Sequence, residues 1–275
     1  MRKFLFLLIL LTLPYPALSG TISLTTTITT DVFTTERGEI SVTLTNSGDE
    51  PAYNTQLSII SDHFSSKPVS VGVLGVNNPV TINISLESVK ELKEGNYPVA
   101  LVIEYTDANG YPFSSVSPIT ITYKNPYPSR ITASIESLEI DGGRPRLLKM
   151  KIRNGDQIER EITVKIILPV ELSSDTTEKK IKIGPKEEKE LDFKISNFGG
   201  LSGSTYVILG VIEYEDDYHH SSFARGVVRI VEPKSFFKPS KNVVIPLVVF
   251  LVAILVLYQF LGKKVEFKIE KKGKK

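Results

Sequence analysis

The sequence predicts an all-β protein with two tandem antiparallel β-sandwich domains, followed by one C-terminal transmembrane α-helix. Three observations support this fold class. Apolar and polar residues alternate through most of the chain, as they do in strands with one buried face. The same pattern occurs twice in the chain, and a shift of about 109 positions aligns residues 103–105 with residues 212–214. Residues 243–261 form an apolar run without a charged residue.

Residues 1–19 predict a signal peptide. Arg2 and Lys3 precede an apolar core at residues 4–13, and small residues at 17–19 provide a cleavage site before Gly20. The apolar core is too short for a comfortable membrane span. An uncleaved N-terminal anchor remains the alternative.

Residues 20–124 predict the first sandwich. Period-2 runs rich in β-branched and aromatic residues recur along this segment. Turn sequences separate the runs at residues 46–49 and 107–110, where Gly and Asn tolerate positive φ. About seven short strands with frequent turns are typical of an antiparallel sandwich. In this region, residues 87–94 are the stretch that could form a turn or two of helix.

Residues 129–232 predict a second sandwich built like the first. Tyr97 corresponds to Tyr206, and Asn46 corresponds to Asn154 after a shift one residue shorter. A period of this length is the size of one sandwich domain, so the pattern indicates a tandem duplication. The linker at residues 125–128 contains two prolines, which make it stiff and extended.

The C-terminal region predicts a membrane anchor. Residues 233–242 are a short stalk, and residues 243–261 are long enough as a helix to cross a bilayer core of about 30 Å. Residues 262–275 carry seven lysines and two glutamates, a net charge of +5. Lysine-rich tails are retained in the cytoplasm. The sequence therefore predicts a single-pass protein of the cell membrane, with its ectodomain outside and its tail inside.

Charge and composition argue against some classes of function. The formal net charge is +2, but once the net charges of residues 1–3 (+2) and of the tail (+5) are removed, residues 4–262 carry −5. A mildly acidic ectodomain argues against nucleic acid as a partner. The chain has no cysteine, so an exported domain must be held by its cores alone. This composition fits a prokaryotic surface protein better than a disulfide-stapled receptor.

Two motifs resemble those of a known group of proteins. Residues 44–52, and residues 95–97 together with 103–110, are similar to the Asn-Gly turn and the closing hairpin of the CARDB and NEW3 families. Those families are Ig-like modules of bacterial and archaeal envelope proteins, often S-layer-like. The resemblance covers nearly all of residues 20–232. It implies two Ig-like sandwiches between a signal peptide and an anchor. Because the shared motifs are turn sequences, the resemblance indicates the fold more specifically than the function.

The sequence predicts neither an enzyme nor a cofactor site. Neither a zinc-protease motif nor a phosphate-binding loop is present in the sequence. One segment combines carboxylates and imidazoles, and its weak candidates for a metal site are Asp216, Asp217, His219 and His220. Their spacing matches no metal motif, so a solvated loop is the preferred interpretation. His63 is interpreted as a surface histidine.

Two further sites are proposed from sequence. Asn83 begins an N-x-S sequon and should face outward between core-facing isoleucines, where it would be open to glycosylation. Chance occurrence of the sequon is the alternative. The more acidic first domain, through Asp107, Asn109 and Tyr111 of one end loop, is the predicted contact with a cationic partner. The alternative is that this charge serves solubility.

Three functions remain open at this stage. The leading hypothesis is a non-enzymatic, membrane-anchored envelope protein whose paired domains bind or space other surface components. The second is an accessory subunit of a membrane transport or translocation complex. The third is a carbohydrate-binding ectodomain, for which Tyr111, Phe113 and Tyr218 are the candidate exposed aromatics. The expected partners are the lipid bilayer and other envelope or membrane proteins, with a glycan possible and no nucleic acid.

Overall fold

The computed structural model describes residues 20–141 and 144–232, and six helical residues at 246, 249–251 and 253–254. The chain divides into two compact units, residues 1–232 and residues 233–275. The described residues of the first unit form seventeen β-strands in three sheets. The predicted all-β fold class is therefore confirmed for this part of the chain.

The first eight strands form what we call the first lobe. Their bounds are β1 (Leu24–Thr30), β2 (Arg37–Asn46), β3 (Ala52–Ile60), β4 (Phe64–Ser65), β5 (Val69–Leu74), β6 (Val80–Ser88), β7 (Gly95–Thr106) and β8 (Pro112–Tyr123). One layer has the antiparallel order β1-β2-β6-β4. The other has the order β8-β7-β3-β5 and belongs to a nine-stranded sheet.

The core of the first lobe follows from the alternation of its strands. Ile40, Val42 and Leu44 of β2 are fully buried, while the residues between them are partly exposed. On β6, Ile84 is buried and Asn83 is exposed, as the period-2 pattern predicts. Side chains from both layers belong to one hydrophobic cluster, so the two layers pack face to face.

The remaining nine strands form the second lobe. Their bounds are β9 (Ile131–Ile135), β10 (Leu138–Asp141), β11 (Arg146–Asn154), β12 (Arg160–Ile167), β13 (Leu172–Ser174), β14 (Glu178–Ile183), β15 (Glu188–Asn197), β16 (Thr205–Glu215) and β17 (His219–Val231). One layer has the order β9-β11-β15-β13, and the other has the order β14-β12-β16-β17. β10 pairs in parallel with β17. This lobe has its own hydrophobic cluster.

The two lobes have the same strand order. Each of β1 to β8 has a counterpart in the second lobe, namely β9, β11, β12, β13, β14, β15, β16 and β17 in turn. β10 corresponds to an isolated parallel bridge between Phe33 and Tyr123 in the first lobe. The internal repeat in the sequence is therefore a repeat of architecture.

A buried asparagine closes the same turn in each lobe. Asn46 donates from Nδ2 to the Glu50 carbonyl at 2.8 Å and accepts at Oδ1 from the Gly48 amide at 3.0 Å. Asn154 makes the matching bonds to the Ile158 carbonyl and the Asp156 amide, both at 2.8 Å. Both asparagines are 0 % exposed, so their amides satisfy backbone groups that water cannot reach.

The helical turn expected at residues 87–94 is wrong. This segment runs from the end of β6 through a bend into β7, without helix. Its carbonyls are bonded elsewhere. The Lys93 carbonyl accepts from the Tyr97 hydroxyl at 2.7 Å, and the Glu94 carbonyl accepts from the His219 amide at 2.9 Å. A side-chain hydroxyl and an amide of the second lobe thus take the place of the i+4 amides that a helix would supply.

The C-terminal predictions fall mostly beyond the described residues. Among the residues that the structure describes, no helix is long and apolar enough to cross a membrane. The predicted signal peptide at 1–19, the stalk at 233–242, most of the helix at 243–261 and the tail at 262–275 lie outside the described residues.

Candidate functional site

The hairpin of β16 and β17 determines which side chains meet between the lobes. In its antiparallel register, Glu215 lies opposite His219 and Tyr214 lies opposite His220. Successive residues of a strand point to opposite faces. Glu213, Glu215 and His219 therefore share the face toward the first lobe, while Tyr214 and His220 share the other face.

His63 of the first lobe completes a buried three-residue group, which we call the interlobe cluster: His63, Glu213 and His219. His63 lies between β3 and β4. Its Nε2 is 2.7 Å from Glu213 Oε1, and His219 Nε2 is 3.1 Å from the same oxygen. The three residues are 4 %, 8 % and 2 % exposed, so the cluster is shielded from water.

The aromatic ring of Tyr97 packs against both histidines of the cluster. The ring of Tyr97 stacks on that of His219, with centroids 4.0 Å apart. The His63 ring lies edge-on to both, at 4.7 Å from each centroid. Packing against an aromatic ring lowers the local dielectric, which strengthens the electrostatic interactions of the cluster.

The hydrogen bonds of the cluster join its histidines to carboxyl groups. The two ring nitrogens of His219 face carboxylate oxygens, Nε2 toward Glu213 and Nδ1 toward Glu215 Oε1 at 3.2 Å. The His219 ring is thus held between two carboxyl groups of its own hairpin. Burial raises the pKa of Glu213, but the hydrogen bonds and charges of His219 and His63 outweigh it and lower this pKa to about 2. Glu213 is therefore a buried anion. His63 Nδ1 is buried and has no hydrogen-bond partner among the residues that the structure describes.

The backbone beside the cluster also joins the lobes. Gly95 at the start of β7 pairs in parallel with His219 at the start of β17. A Cβ on Gly95 would lie 2.0 Å from the His219 carbonyl oxygen, and Gly95 has a φ of +148°. Only glycine allows so close an approach.

The contact continues along the outer faces of two central strands. Ala100 and Val102 of β7 pack with Val116 of β8 and Leu209 of β16 in a small cluster of their own. The side chains that alternate with them on β7 belong to the core of the first lobe. The prediction of strands with one buried face is therefore wrong for β7, which is buried on both faces.

A buried carboxylate holds another part of the contact. Glu171 is 4 % exposed, and it accepts from the Ser114 amide and the Ser114 hydroxyl, each at 2.5 Å. The Ser114 hydroxyl in turn accepts from the Val170 amide at 2.9 Å. Asp62 and Lys165 form an ion pair across the lobes beside the interlobe cluster.

The structure separates the residues considered as weak metal candidates. His219 joins the interlobe cluster, but His220 points to the opposite face, where its Nε2 is 3.0 Å from Asp216 Oδ1. The ring of His220 stacks on Tyr214, with centroids 4.6 Å apart. Asp217 is exposed at the tip of the hairpin. The two histidines cannot serve one site because neighbouring strand residues face opposite ways.

The sequence did not indicate that His63 and Glu213 meet: Glu213 lies in the segment of carboxylates and imidazoles that was interpreted as a solvated loop. The interpretation of His63 as a surface histidine is wrong, because it is buried against the second lobe. Glu213 occupies the repeat position of Glu104, which is exposed. A signal was present: residues 99–103 and 207–212 are continuous apolar runs, typical of strands buried on both faces.

The predicted partner loop forms the tip of the β7–β8 hairpin. Asp107 Oδ1 accepts from the amides of Asn109 and Tyr111 at 2.9 and 2.8 Å, so this carboxylate shapes the turn. The Tyr111 hydroxyl donates to the Gly199 carbonyl of the second lobe at 2.7 Å. Asn109 is exposed.

A cleft of about 1220 Å³ lies beside this loop, between the lobes. Tyr105 and Phe113 line it from the first lobe, with their rings stacked at 5.7 Å. Tyr206 and its neighbours in residues 201–207 line it from the second lobe, and Asp107 and Asn109 lie at its margin. The cleft combines aromatic rings with polar groups.

No protein-family model and no curated protein matches this chain. Several solved structures have a distant likeness. A protein of unknown function from Porphyromonas gingivalis W83 is 14 % identical, with a TM-score of 0.30, over 74 % of this chain and 98 % of its own. Trypsin-activated alpha-2-macroglobulin from Escherichia coli is 10 % identical, with a TM-score of 0.33, over 77 % of this chain and 18 % of its own.

Red sea bream transglutaminase is 12 % identical, with a TM-score of 0.26, over 78 % of this chain and 31 % of its own. The chain thus spans less than a third of the length of the macroglobulin and of the transglutaminase. TM-scores this low carry no argument about function.

Proposed function

We propose that the protein is a non-enzymatic, membrane-anchored component of a cell envelope whose paired Ig-like domains bind or space other surface components. In this proposal residues 1–19 are a signal peptide, residues 243–261 are a transmembrane helix and residues 262–275 are a cytoplasmic tail. The basic, apolar and small residues of the two ends support this topology. Domains at 20–124 and 129–232 correspond to the two lobes.

The strand order supports the Ig-like assignment. Ig domains pack a sheet of order A-B-E-D on a sheet with strands C, F and G. The layer β1-β2-β6-β4 has the first order, and β3, β7 and β8 take the places of C, F and G, with β5 added beside β3. The second lobe has the same order. This agreement favours the resemblance to CARDB and NEW3 modules.

The interlobe cluster is the observation that carries the spacer function. A spacer must hold its ends at a fixed separation, and two domains on a free linker cannot do so. The buried hydrogen bond between His63 of the first lobe and Glu213 of the second opposes separation of the lobes, because separation would leave both groups without this partner. The linker is held as well, since Tyr127 stacks on Tyr218 with centroids 3.5 Å apart.

The topology is tested by protease treatment of intact cells that express the full chain with a tag after Lys275. We expect the ectodomain to be removed, while a tagged fragment of the size of the anchor and tail remains. Cells permeabilised with detergent are the control, in which the tag should also be lost. Loss of the tag from intact cells, or protection of residues 20–232, would contradict the proposed orientation.

The spacer function is tested by co-purification of the solubilised full chain with envelope proteins. We expect the partner set to be retained when residues 243–261 are replaced by a poly-leucine helix. We also expect it to be reduced by Asn109→Arg at the proposed partner loop, since this loop belongs to the more acidic domain. Loss of the partners with the poly-leucine helix would favour the accessory-subunit hypothesis instead.

The cleft favours carbohydrate binding as a second candidate function. Sugars stack on aromatic rings, and Tyr105, Phe113 and Tyr206 line this cleft. If the cleft binds a glycan, Phe113→Ala should abolish retention on a glycan array, and Tyr218→Ala outside the cleft should not. Equal retention by both variants would exclude the cleft as the binding site.

A further inference from the structure

The interlobe cluster directs three metal-ligating atoms at one point. His63 Nε2, Glu213 Oε1 and His219 Nε2 all lie within 4.8 Å of one another. Two imidazole nitrogens and one carboxylate oxygen are a common donor set for Zn²⁺ and related first-row ions. We propose that the interlobe cluster binds one divalent transition-metal ion of the Zn²⁺ class, which ties the two lobes together.

The distances fit such an ion after a small adjustment. Tetrahedral zinc with bonds of about 2.0–2.1 Å places its ligand atoms roughly 3.3 Å apart. The two nitrogens are 2.7 Å and 3.1 Å from Glu213 Oε1, so they would retreat from this oxygen by roughly 0.6 Å and 0.2 Å to admit the ion. The three ligand atoms lie within 4.8 Å of one another, and the two nitrogens would also adjust their mutual distance to that of a tetrahedral site. Water would supply the fourth ligand, as it does in three-ligand zinc sites.

The surrounding charges also suit a cation. A divalent ion with two neutral histidines and the Glu213 carboxylate has a net charge of +1. Glu215 compensates it, because its Oε1 faces the far nitrogen of His219 at 3.2 Å. A carboxylate on the far nitrogen of a ligating histidine fixes the ring and raises its basicity. The two Nε2 atoms that bind the ion carry no proton in the metal-bound state, because a ligating imidazole nitrogen uses its lone pair on the metal.

The three proposed ligands come from both lobes, so a bound ion would connect the lobes. His63 belongs to the first lobe, whereas Glu213 and His219 belong to the second. An ion bound by all three would add its binding free energy to the association of the lobes. This inference goes beyond the envelope function, and it can fail while that function stands.

The test uses the full chain in detergent, stripped of metal with a chelator that is then removed. We expect calorimetric titration with zinc chloride to give one ion per chain, and saturating zinc to raise the thermal unfolding midpoint by several degrees. Cobalt chloride should give the visible absorption of a tetrahedral site. Zinc that neither binds nor stabilises the wild-type chain would overturn the proposal.

Variants locate the ion. Glu213→Gln should abolish binding, and Glu215→Gln should weaken it by about 10- to 100-fold. His220→Gln changes a neighbouring histidine on the opposite face and should bind like the wild type. His63→Cys guards against a folding defect: it offers a thiolate ligand, and a cobalt–thiolate charge-transfer band can arise only there, since the chain has no cysteine. Wild-type affinity in Glu213→Gln, or absence of that band, would place the ion elsewhere and overturn the assignment.

Discussion

The ring of His219 lies flat on the ring of Tyr97, with the two planes 2° apart, although the residues belong to different lobes. Both rings are almost fully buried. Stacked aromatic pairs contribute about 0.5–1.5 kcal/mol beyond the area they bury. The contact between the lobes is therefore built like a protein interior at this point.

Gly95→Ala is expected to weaken the contact between the lobes. The added Cβ would collide with the His219 carbonyl, and we expect a loss of about 1–3 kcal/mol in the free energy of unfolding, as for other overpacked sites. Urea denaturation measures this loss in the free energy of unfolding. Gly110→Ala is the matched control, since Gly110 has a φ of +77° and open space around it. Equal losses in both variants would mean that backbone strain alone, without the collision, explains the effect.

Asn154→Ala is expected to destabilise the second lobe by about 2–4 kcal/mol, because it leaves buried carbonyls and an amide without partners. Asn46→Ala should act alike on the first lobe. Hydrogen exchange resolved by peptide assigns the effect to each lobe. The exposed Asn109 is the control, and Asn109→Ala should have little effect. A loss spread evenly over both lobes would contradict the equivalence of the two turns.

Ile84→Asp is expected to unfold the first lobe, because it places an unpaired charge in the core. Asn83→Asp adds the same carboxylate one residue away on the exposed face and should change stability by less than about 0.5 kcal/mol. Thermal melts followed by circular dichroism compare the two. Similar melting of both variants would refute the assignment of the β6 faces.

The ion pair of Arg160 with Asp156 predicts a dependence on acid pH. A hydrogen bond from the Arg160 guanidinium, helped by the Gln157 amide, lowers the pKa of Asp156 below its ordinary value of 3.8. A carboxyl with a lowered folded-state pKa stabilises the fold above its unfolded pKa, and this contribution is lost as the pH falls through the folded pKa.

Arg160→Gln should therefore be less stable than the wild type at about pH 7, and the difference should shrink below about pH 4. Urea denaturation at the two pH values measures it. Lys149→Gln, which removes a more exposed ion pair with Glu190, is the control with little expected effect at either pH. A difference that stays constant with pH would show that Arg160 acts through packing on Tyr214 rather than through its carboxylate partners Asp156 and Asp216.

Features that depend on local pattern could be predicted from the sequence. The period-2 alternation predicted the all-β fold and the buried face at Ile84, and the correspondence of Asn46 with Asn154 indicated the repeat. The interlobe cluster depends on which outer face meets the other lobe. Alternation within one strand cannot distinguish the buried Glu213 from the exposed Glu104, since both occupy the same position of the repeat.

The proposal that the interlobe cluster holds the two lobes at a fixed separation is tested most directly by a distance distribution between two spin labels. Ser85 of β6 and Lys180 of β14 are exposed and belong to different lobes, and a chain without native cysteine takes labels only at Ser85→Cys and Lys180→Cys. Pulsed electron resonance on the full chain should give one narrow distribution of distances between the labels. Glu213→Ala should broaden this distribution, and the matched control Glu104→Ala should leave it unchanged. A broad distribution without either substitution would contradict the account.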